Sequence, residues 1–377
     1  MFILIFVSHI DFHAVFEYDQ IILYTHIVHF FRFMAQHFLL SSSARKLSPL
    51  KIAQLSDADA FSLLHELRWR SKNEQVCPKC GVQHQAYFIS TRKQWRCKHC
   101  NHTFSVTSGT IFADRKLSIQ TYLYAIALFV NAAKGLSACQ LSRDLNVQYK
   151  TAFTLAHKIR ESLQIQKQLF PLSGEIHIDG TYVHSASRPK NKKSERVDRR
   201  LKENANPNKR SILVMRSRYS EEKTTENPYL VGAKKTLTFP ILSENSQVVN
   251  KLATTHIKAG SRIHADENSA YDELMIHYDL RRVNHQKEYR SDEGITNNLA
   301  ESYFSRFKRM IIGTHHKISN KYLDNYANEC AYREDNRRVD NLSLFNSTLG
   351  QCLATDNTTD WQGYWQGNHR QTERLIM

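Results

Sequence analysis

Apolar positions along the chain change their period several times, and each change marks an element. From Ser48 to Ser71, PLKIAQLSDADAFSLLHELRWRS places Ser56 as an N-cap ahead of Phe61, Leu64, Leu67 and Trp69 at helical spacing, which predicts a short helix. The next unit alternates turn residues with pieces such as AYFIS and QWRC, predicting three or four short strands. Helical periodicity returns in IQTYLYAIALFVNAA and GLSACQLSRDLNVQYKTAFTLAHKIRESL, and Pro171 closes that block. GEIHIDGTYV then alternates with period two. SILVMRS, LTFPIL and SRIHAD continue the strand theme to Asp266, and Asn298 to Arg338 is helical again. No internal repeat is present.

These changes divide the chain into an N-terminal helical segment (34–72), a cysteine-bearing unit (73–108), a helical module (109–170), a strand-rich domain (171–340) and a tail (341–377). The expected fold is multidomain α+β with an α/β portion. The first 33 residues are rich in Phe, Ile and His, but Asp11, Glu17 and Asp19 interrupt every apolar run before the ~20 residues a membrane span needs. They lack the basic start and small-residue cleavage site of a secretory signal. We expect translation to begin at Met34, with the preceding stretch an upstream frame joined in error. Mass spectrometry of the native N-terminus checks this.

Charge narrows the function. The 377 residues carry a formal net charge of +16 and a pI near 9.5, which favours a polyanionic partner, nucleic acid before membrane. Between Arg188 and Arg210 ten basic and three acidic residues form a run with almost nothing apolar, as in an exposed basic loop.

Seven cysteines stand at 77, 80, 97, 100, 139, 330 and 352. Cys77-x-x-Cys80 and Cys97-x-x-Cys100, sixteen residues apart, have the spacing of a four-thiolate zinc ribbon in a reducing compartment. Two such knuckles close a tetrahedron, so this zinc is structural and not catalytic. A redox role needs one pair and a thioredoxin-like βαβ context that is missing. The other three cysteines read as buried thiols. Lys79, Arg92, Lys93, Arg96 and Lys98, with Trp95 and His99 among them, suit DNA contact; the competing reading is a folding platform or protein contact.

In SACQLSRDLNVQYKTAFTLAHKIR, a helix ending near Asp144, a turn through Leu145 and Asn146, and a helix from about Gln148 have helix-turn-helix proportions. Gln148, Tyr149, Lys150 and Thr151 would then face the major groove. Ala138, Leu141, Leu145, Val147, Phe153 and Leu155 would serve equally as the core of a plain helical bundle.

In EIHIDGTYV the alternation sets Ile176 and Ile178 on one face and His177 and Asp179 on the other. A carboxylate in that apolar strand is expensive unless paired or metal-bound. Asp266 follows SRIHA at an apparent strand end, where ligands gather in α/β sheets. With a third group on a helix, these two would supply hard oxygen ligands for two divalent ions about 3.5–4 Å apart, suited to phosphodiester chemistry. Asn298-x-x-Glu301 opens the last helical region. It has the spacing of a capping box, and equally sets an i, i+3 pair on one face with Lys308 two turns further along.

These motifs, in this order from about Met34 to Arg338, resemble insertion-sequence transposases with an N-terminal zinc ribbon and a ribonuclease H-like core of the DDE type, in the subgroup whose third acidic position is Asn in some members. The resemblance rests on CPKC and CKHC, IHIDGTYV, HADENSAY followed by VNHQKEY, NNLAESYFSRFKR and KYLDNYANECAYREDNRR. It implies Asp179 and Asp266 as catalytic carboxylates holding Mg²⁺ or Mn²⁺, Asn298 at the third position, and Lys308 as a DNA-positioning base. Glu301 remains the contender for third ligand. The implied reaction is metal-dependent DNA cleavage, followed by attack of the freed 3′-hydroxyl on target DNA without a covalent protein intermediate. Ribbon and helical module would bind terminal inverted repeats of double-stranded DNA, within a homo-oligomer assembled on DNA at the cytoplasmic nucleoid. Thr296 stands where the family often has His, and Gly180 where an acidic residue is common. The rivals are a silent DNA-binding relic of a transposase and a plain nuclease that never joins strands.

Overall fold

The computed structural model describes residues 38–71, 73–164, 171–184, 190–198, 201, 204, 206, 208–226, 230, 232–283 and 296–375. The expected start at Met34 lies outside them, as do Arg188, Arg199, Arg200 and Lys202 of the basic 188–210 run and VNHQKEY after its first residue. The chain divides into two compact units at Arg45/Lys46. In the first, the described residues form two 3₁₀ turns, Phe38–Leu40 and Ser42–Ala44.

The second unit opens with helices α1 (Pro49–Ala53) and α2 (Asp57–Trp69). Ser56 caps α2 as the sequence predicts, its Oγ accepting from the Asp59 N–H at 3.1 Å. Five short strands follow: a hairpin of β1 (Gln75–Val76) and β2 (Gln83–His84), and an antiparallel sheet of β3 (Tyr87–Ile89), β4 (Gln94–Arg96) and β5 (Thr103–Ser105). Next come α3 (Ile119–Asn131), α4 (Ala138–Asp144) and α5 (Tyr149–Ser162), the last two joined by the expected turn with Asn146 at φ 50°.

A single core runs beneath this half. Phe61 and Trp69 of α2 pack on Trp95 with ring centroids 5.7 and 4.9 Å away. Trp95 is therefore buried, at 4% exposure, and is core; the basic residues expected beside it remain exposed while the indole is withdrawn from any DNA contact. The tail supplies helix α10 (Asn341–Ala354), whose Phe345, Leu349 and Cys352 enter the same core with α3 and α5. Cys330 and Cys352 are buried as expected. Cys139 is exposed, because it lies on the outer side of the two-turn helix α4.

The strand-rich domain is a five-stranded mixed sheet in the order β10-β9-β6-β7-β8. Strands β6 (Glu175–His184), β7 (Lys209–Arg218) and β8 (Ala233–Ile241) form an antiparallel meander; β9 (Arg262–Ala265) and β10 (Asp279–Arg282) add in parallel beside β6. Between Glu221–Glu226 (α6) and the last strand lie α7 (Ser246–His256) and a 3₁₀ stretch, Ser269–Ile276. These cover one face with Ile176, Ile178 and Ile263. Helices α8 (Asn298–Met310) and α9 (Leu323–Asp335) cover the other with Val183, Ile212 and Val214. Strand β7 has layers on both sides, which explains its unbroken apolar run ILVM. Pro240 is tolerated because β8 is an edge strand. This is the expected ribonuclease H-like α/β domain.

The sequence reading missed α7 and β10. Strand β10 reads Asp-Leu-Arg-Arg at the sheet edge, so it shows no apolar alternation.

Candidate active site

The β6/β9 ladder pairs Glu175 with Arg262, Ile176 with Ile263 and His177 with His264. Continued two residues further, the same register sets Asp179 opposite Asp266, at the point where β9 ends and the strands separate. Asp179 Oδ1 accepts from the Gly180 N–H at 2.7 Å, and Asp266 Oδ1 accepts from the Asn268 N–H at 3.0 Å. Burial lifts the Asp179 carboxyl to about 8, and the charges of Asp266, Glu244 and Glu301 push the same way against the Gly180 bond. That sensitivity identifies the four carboxylates as one electrostatic group.

Glu244 was not found from sequence. It lies in the polar stretch after β8, where no pattern marks it. Burial raises its carboxyl above the usual range although the Tyr271 hydroxyl donates to Oε1. A Cβ at position 180 would collide with the Glu244 carboxylate. Gly180, where the resemblance leads one to expect an acid, thus makes room for an acid arriving from elsewhere in the chain.

Helix α8 is held against this group by buried polar contacts. Arg216 of β7, fully buried, donates through Nη1 to the Leu299 carbonyl at 2.7 Å and Ser302 Oγ at 2.8 Å. Asn297 immediately precedes the helix, and its Nδ2 donates to the Ile178 carbonyl at 3.3 Å. Its Oδ1 is buried without a partner beside the strand residue before Asp179. The carboxylates and this orphan amide oxygen are hard oxygen donors, the kind that Mg²⁺ or Mn²⁺ takes.

In the cysteine unit all four thiols converge, each offering a sulfur within 4.8 Å of the others. Cys77 and Cys100 Sγ are 3.6 Å apart, Cys80 and Cys97 3.7 Å. A tetrahedral ion with bonds of about 2.3 Å requires sulfur separations of about 3.8 Å, so the donor set fits zinc. The two knuckles repeat one geometry: Gly81 N–H to the Cys77 carbonyl at 2.9 Å, Asn101 N–H to the Cys97 carbonyl at 3.0 Å, with φ of 73° and 55°.

Residues 171–335 match the ISXO2-like transposase domain, and residues 55–103 match the transposase zinc-ribbon domain. The chain carries both domains of insertion-sequence transposases. An "uncharacterized protein in transposable element ISH50" of Halobacterium salinarum is 28% identical over 131 residues, 34% of this chain and 42% of that protein. The match therefore spans less than half of the relative's length. Two solved structures are similar at low scores: a Mos1 transposase paired-end complex with left transposon end (TM-score 0.17, 10% identity, 59% of this chain and 78% of that one) and a pre-cleavage Mos1 transpososome (0.16, 13%, 63% and 79%).

The capping box that the Asn298-x-x-Glu301 spacing allows does not form. The N-cap is Asn297, whose carbonyl accepts from the Ala300 and Glu301 N–H groups at 3.0 and 3.3 Å, and Asn298 is the first helical residue. Asn298 is exposed, and its N–H is held by Thr296 Oγ1 at 3.0 Å. Glu301 is half-buried, and its charge reaches Asp179. Lys308 stands exposed two turns further along α8. Gln148, Tyr149 and Lys150 are exposed around the start of α5, with Thr151 half-buried, and the Lys150 Nζ lies 5.8 Å over the Trp365 ring of the tail. Among the described residues no helix is long and apolar enough to cross a membrane.

Proposed function

We propose that this transposase cleaves the ends of its insertion element and joins them to target DNA by divalent-metal-dependent phosphoryl transfer. The observation that carries the reading is the β6/β9 register, which brings Asp179 and Asp266 side by side at a strand fork beneath the first turns of α8. In this reading Asp179 and Asp266 hold Mg²⁺ or Mn²⁺. Such ions would neutralise charge developing on the scissile phosphate and its leaving oxygen.

The third position is the point on which resemblance and placement differ. Resemblance favours Asn298; burial and electrostatic reach favour Glu301, and we assign it to Glu301 with Glu244 as a supporting carboxylate. Lys308, on the exposed side of α8, would bind a phosphate next to the scissile one, because a point charge positions backbone without reading sequence.

Zinc in the ribbon would fix the α2–ribbon core. The exposed bases of the ribbon and the exposed start of α5 would bind terminal inverted repeats of double-stranded DNA, with two or more copies pairing the ends. Such a protein works at the cytoplasmic nucleoid. Charge supports this, since a net +16 favours a polyanion.

The test is cleavage of a duplex carrying the element's own end, in Mg²⁺ or Mn²⁺, with Asp266→Ala, Asn298→Ala and Glu301→Gln beside wild type. Cleavage lost in Asp266→Ala and Glu301→Gln but kept in Asn298→Ala is the expected pattern. Nicks without joined products would show a nuclease. Tight binding without wild-type cleavage would show a silent relic.

A further inference from the structure

Two residues back from the catalytic aspartates, on the same strands and the same sheet face, lies a second group of ligand-type side chains. His177 and His264 are register partners across β6 and β9, their rings stacked with centroids 4.8 Å apart, and Glu175 precedes His177 by two residues. Each of the three offers one ligand atom within 4.8 Å of the others. Glu175 Oε1 lies 3.3 Å from His177 Nε2 and 3.8 Å from His264 Nε2.

Both rings are more than nine-tenths buried, at 1% and 5% exposure, yet three of their four nitrogens, His177 Nδ1, His264 Nδ1 and His264 Nε2, make no well-formed hydrogen bond, with the Thr296 backbone facing His264. Burying an imidazole nitrogen without a partner is costly, and polar atoms so placed call for a bound group. Ligand atoms around a tetrahedral ion with bonds of about 2.0–2.1 Å sit about 3.3 Å apart, close to the 3.3 and 3.8 Å that separate Glu175 Oε1 from the two imidazoles.

We propose that Glu175, His177 and His264 form a second metal site, for a borderline divalent ion of the zinc type. Two imidazoles and one carboxylate select Zn²⁺, Co²⁺ or Ni²⁺ over Mg²⁺, which sets this site apart from the all-oxygen group two residues on. Arg218 Nη1 shares Glu175 Oε1 at 3.1 Å from a half-exposed side chain, so an ion would compete with it for that oxygen. An open cavity of about 420 Å³ adjoins Glu175, with Lys258 and Arg262 among its other lining residues. A bound ion would cross-link β6 and β9 directly behind Asp179 and Asp266.

The test is a Co²⁺ titration of the full chain, its ribbon already loaded with zinc, in excess Mg²⁺ to occupy the all-oxygen group. We expect one further Co²⁺ per chain, with visible d–d absorption and no sulfur charge-transfer band. Glu175→Gln and His264→Gln should each weaken it at least tenfold, and Asp266→Asn should leave it intact. Glu175→Gln alters a partly exposed carboxylate, so it keeps the measurement decisive if the histidine variant fails to fold. No further equivalent in wild type, unchanged affinity in Glu175→Gln, or loss confined to Asp266→Asn would each overturn the proposal.

Discussion

Replacing Asp179 by Asn should stabilise the protein when divalent cations are absent, although it removes a carboxylate that we assign to catalysis. Burial, and the neighbouring Asp266, Glu244 and Glu301, lift the Asp179 carboxyl from 3.8 to about 8 in the fold. The sign follows from where the proton is held. The folded state keeps the proton to about pH 8, whereas the unfolded chain releases it near pH 4. The stability tied to that proton is complete below about 4 and is lost as pH rises through 8. At about 1.4 kcal/mol per pH unit, the loss by pH 7 has a ceiling of roughly 4 kcal/mol, which relaxation of the other three carboxylates will reduce. The amide in Asp179→Asn carries no such charge. In cation-free buffer the variant should therefore melt about 5 °C above wild type at pH 8, with the gap closing towards pH 4. Mg²⁺ should reverse the order by binding the wild-type carboxylates and not the variant's. Buffers should be stripped on a resin, because a dissolved chelator would attack the zinc ribbon. Equal melting of the two proteins from pH 5 to 8, or an equal Mg²⁺ gain in both, would refute the reasoning.

Other substitutions probe the supports of the site. Glu329 is buried between Arg160, at 2.6 Å, and Arg333, at 2.8 Å, and so ties α5 to α9. Glu329→Gln should cost about 3–5 kcal/mol in urea unfolding, since it leaves two arginines uncompensated, and a loss under about 1 kcal/mol would contradict that. Burial opposes its ionisation, but the two arginines hold its carboxyl at about 2. Its contribution should therefore be present above about pH 4.5 and vanish as pH falls towards 2. Gly180→Glu should collide with Glu244 and abolish cleavage; pairing it with Glu244→Gly should recover stability, and additive effects in that cycle would show that the two positions do not share space. Cys80→Ser should release the ribbon's metal and dissolve the Trp69–Trp95 packing, read as loss of zinc together with near-ultraviolet dichroism; a fully retained Trp signal would mean the ribbon folds without metal.

Much of this protein was settled by local pattern. The CxxC spacing was enough to bring four thiols together, because a knuckle is a local turn and two of them at this separation need only face each other. Ser56 and the α4–α5 turn were legible for the same reason: caps and turns are decided by a few adjacent residues. Asp179 stood out because a carboxylate in a strand contradicts its apolar surroundings, and Asp266 because it follows directly on an apolar strand.

What the sequence could not decide depended on neighbours distant in the chain. Trp95 looked available to DNA until α2 packed over it. The helix cap moved from Asn298 to Asn297, because Asn297 is the residue that reaches the Ile178 carbonyl. Glu244 entered the acidic group only because β8 delivers it above Gly180, and a glycine's empty space is invisible in sequence. The pairing of His177 with His264 followed from a parallel register, which crossover length leaves open and side-chain packing on both faces of the sheet fixes.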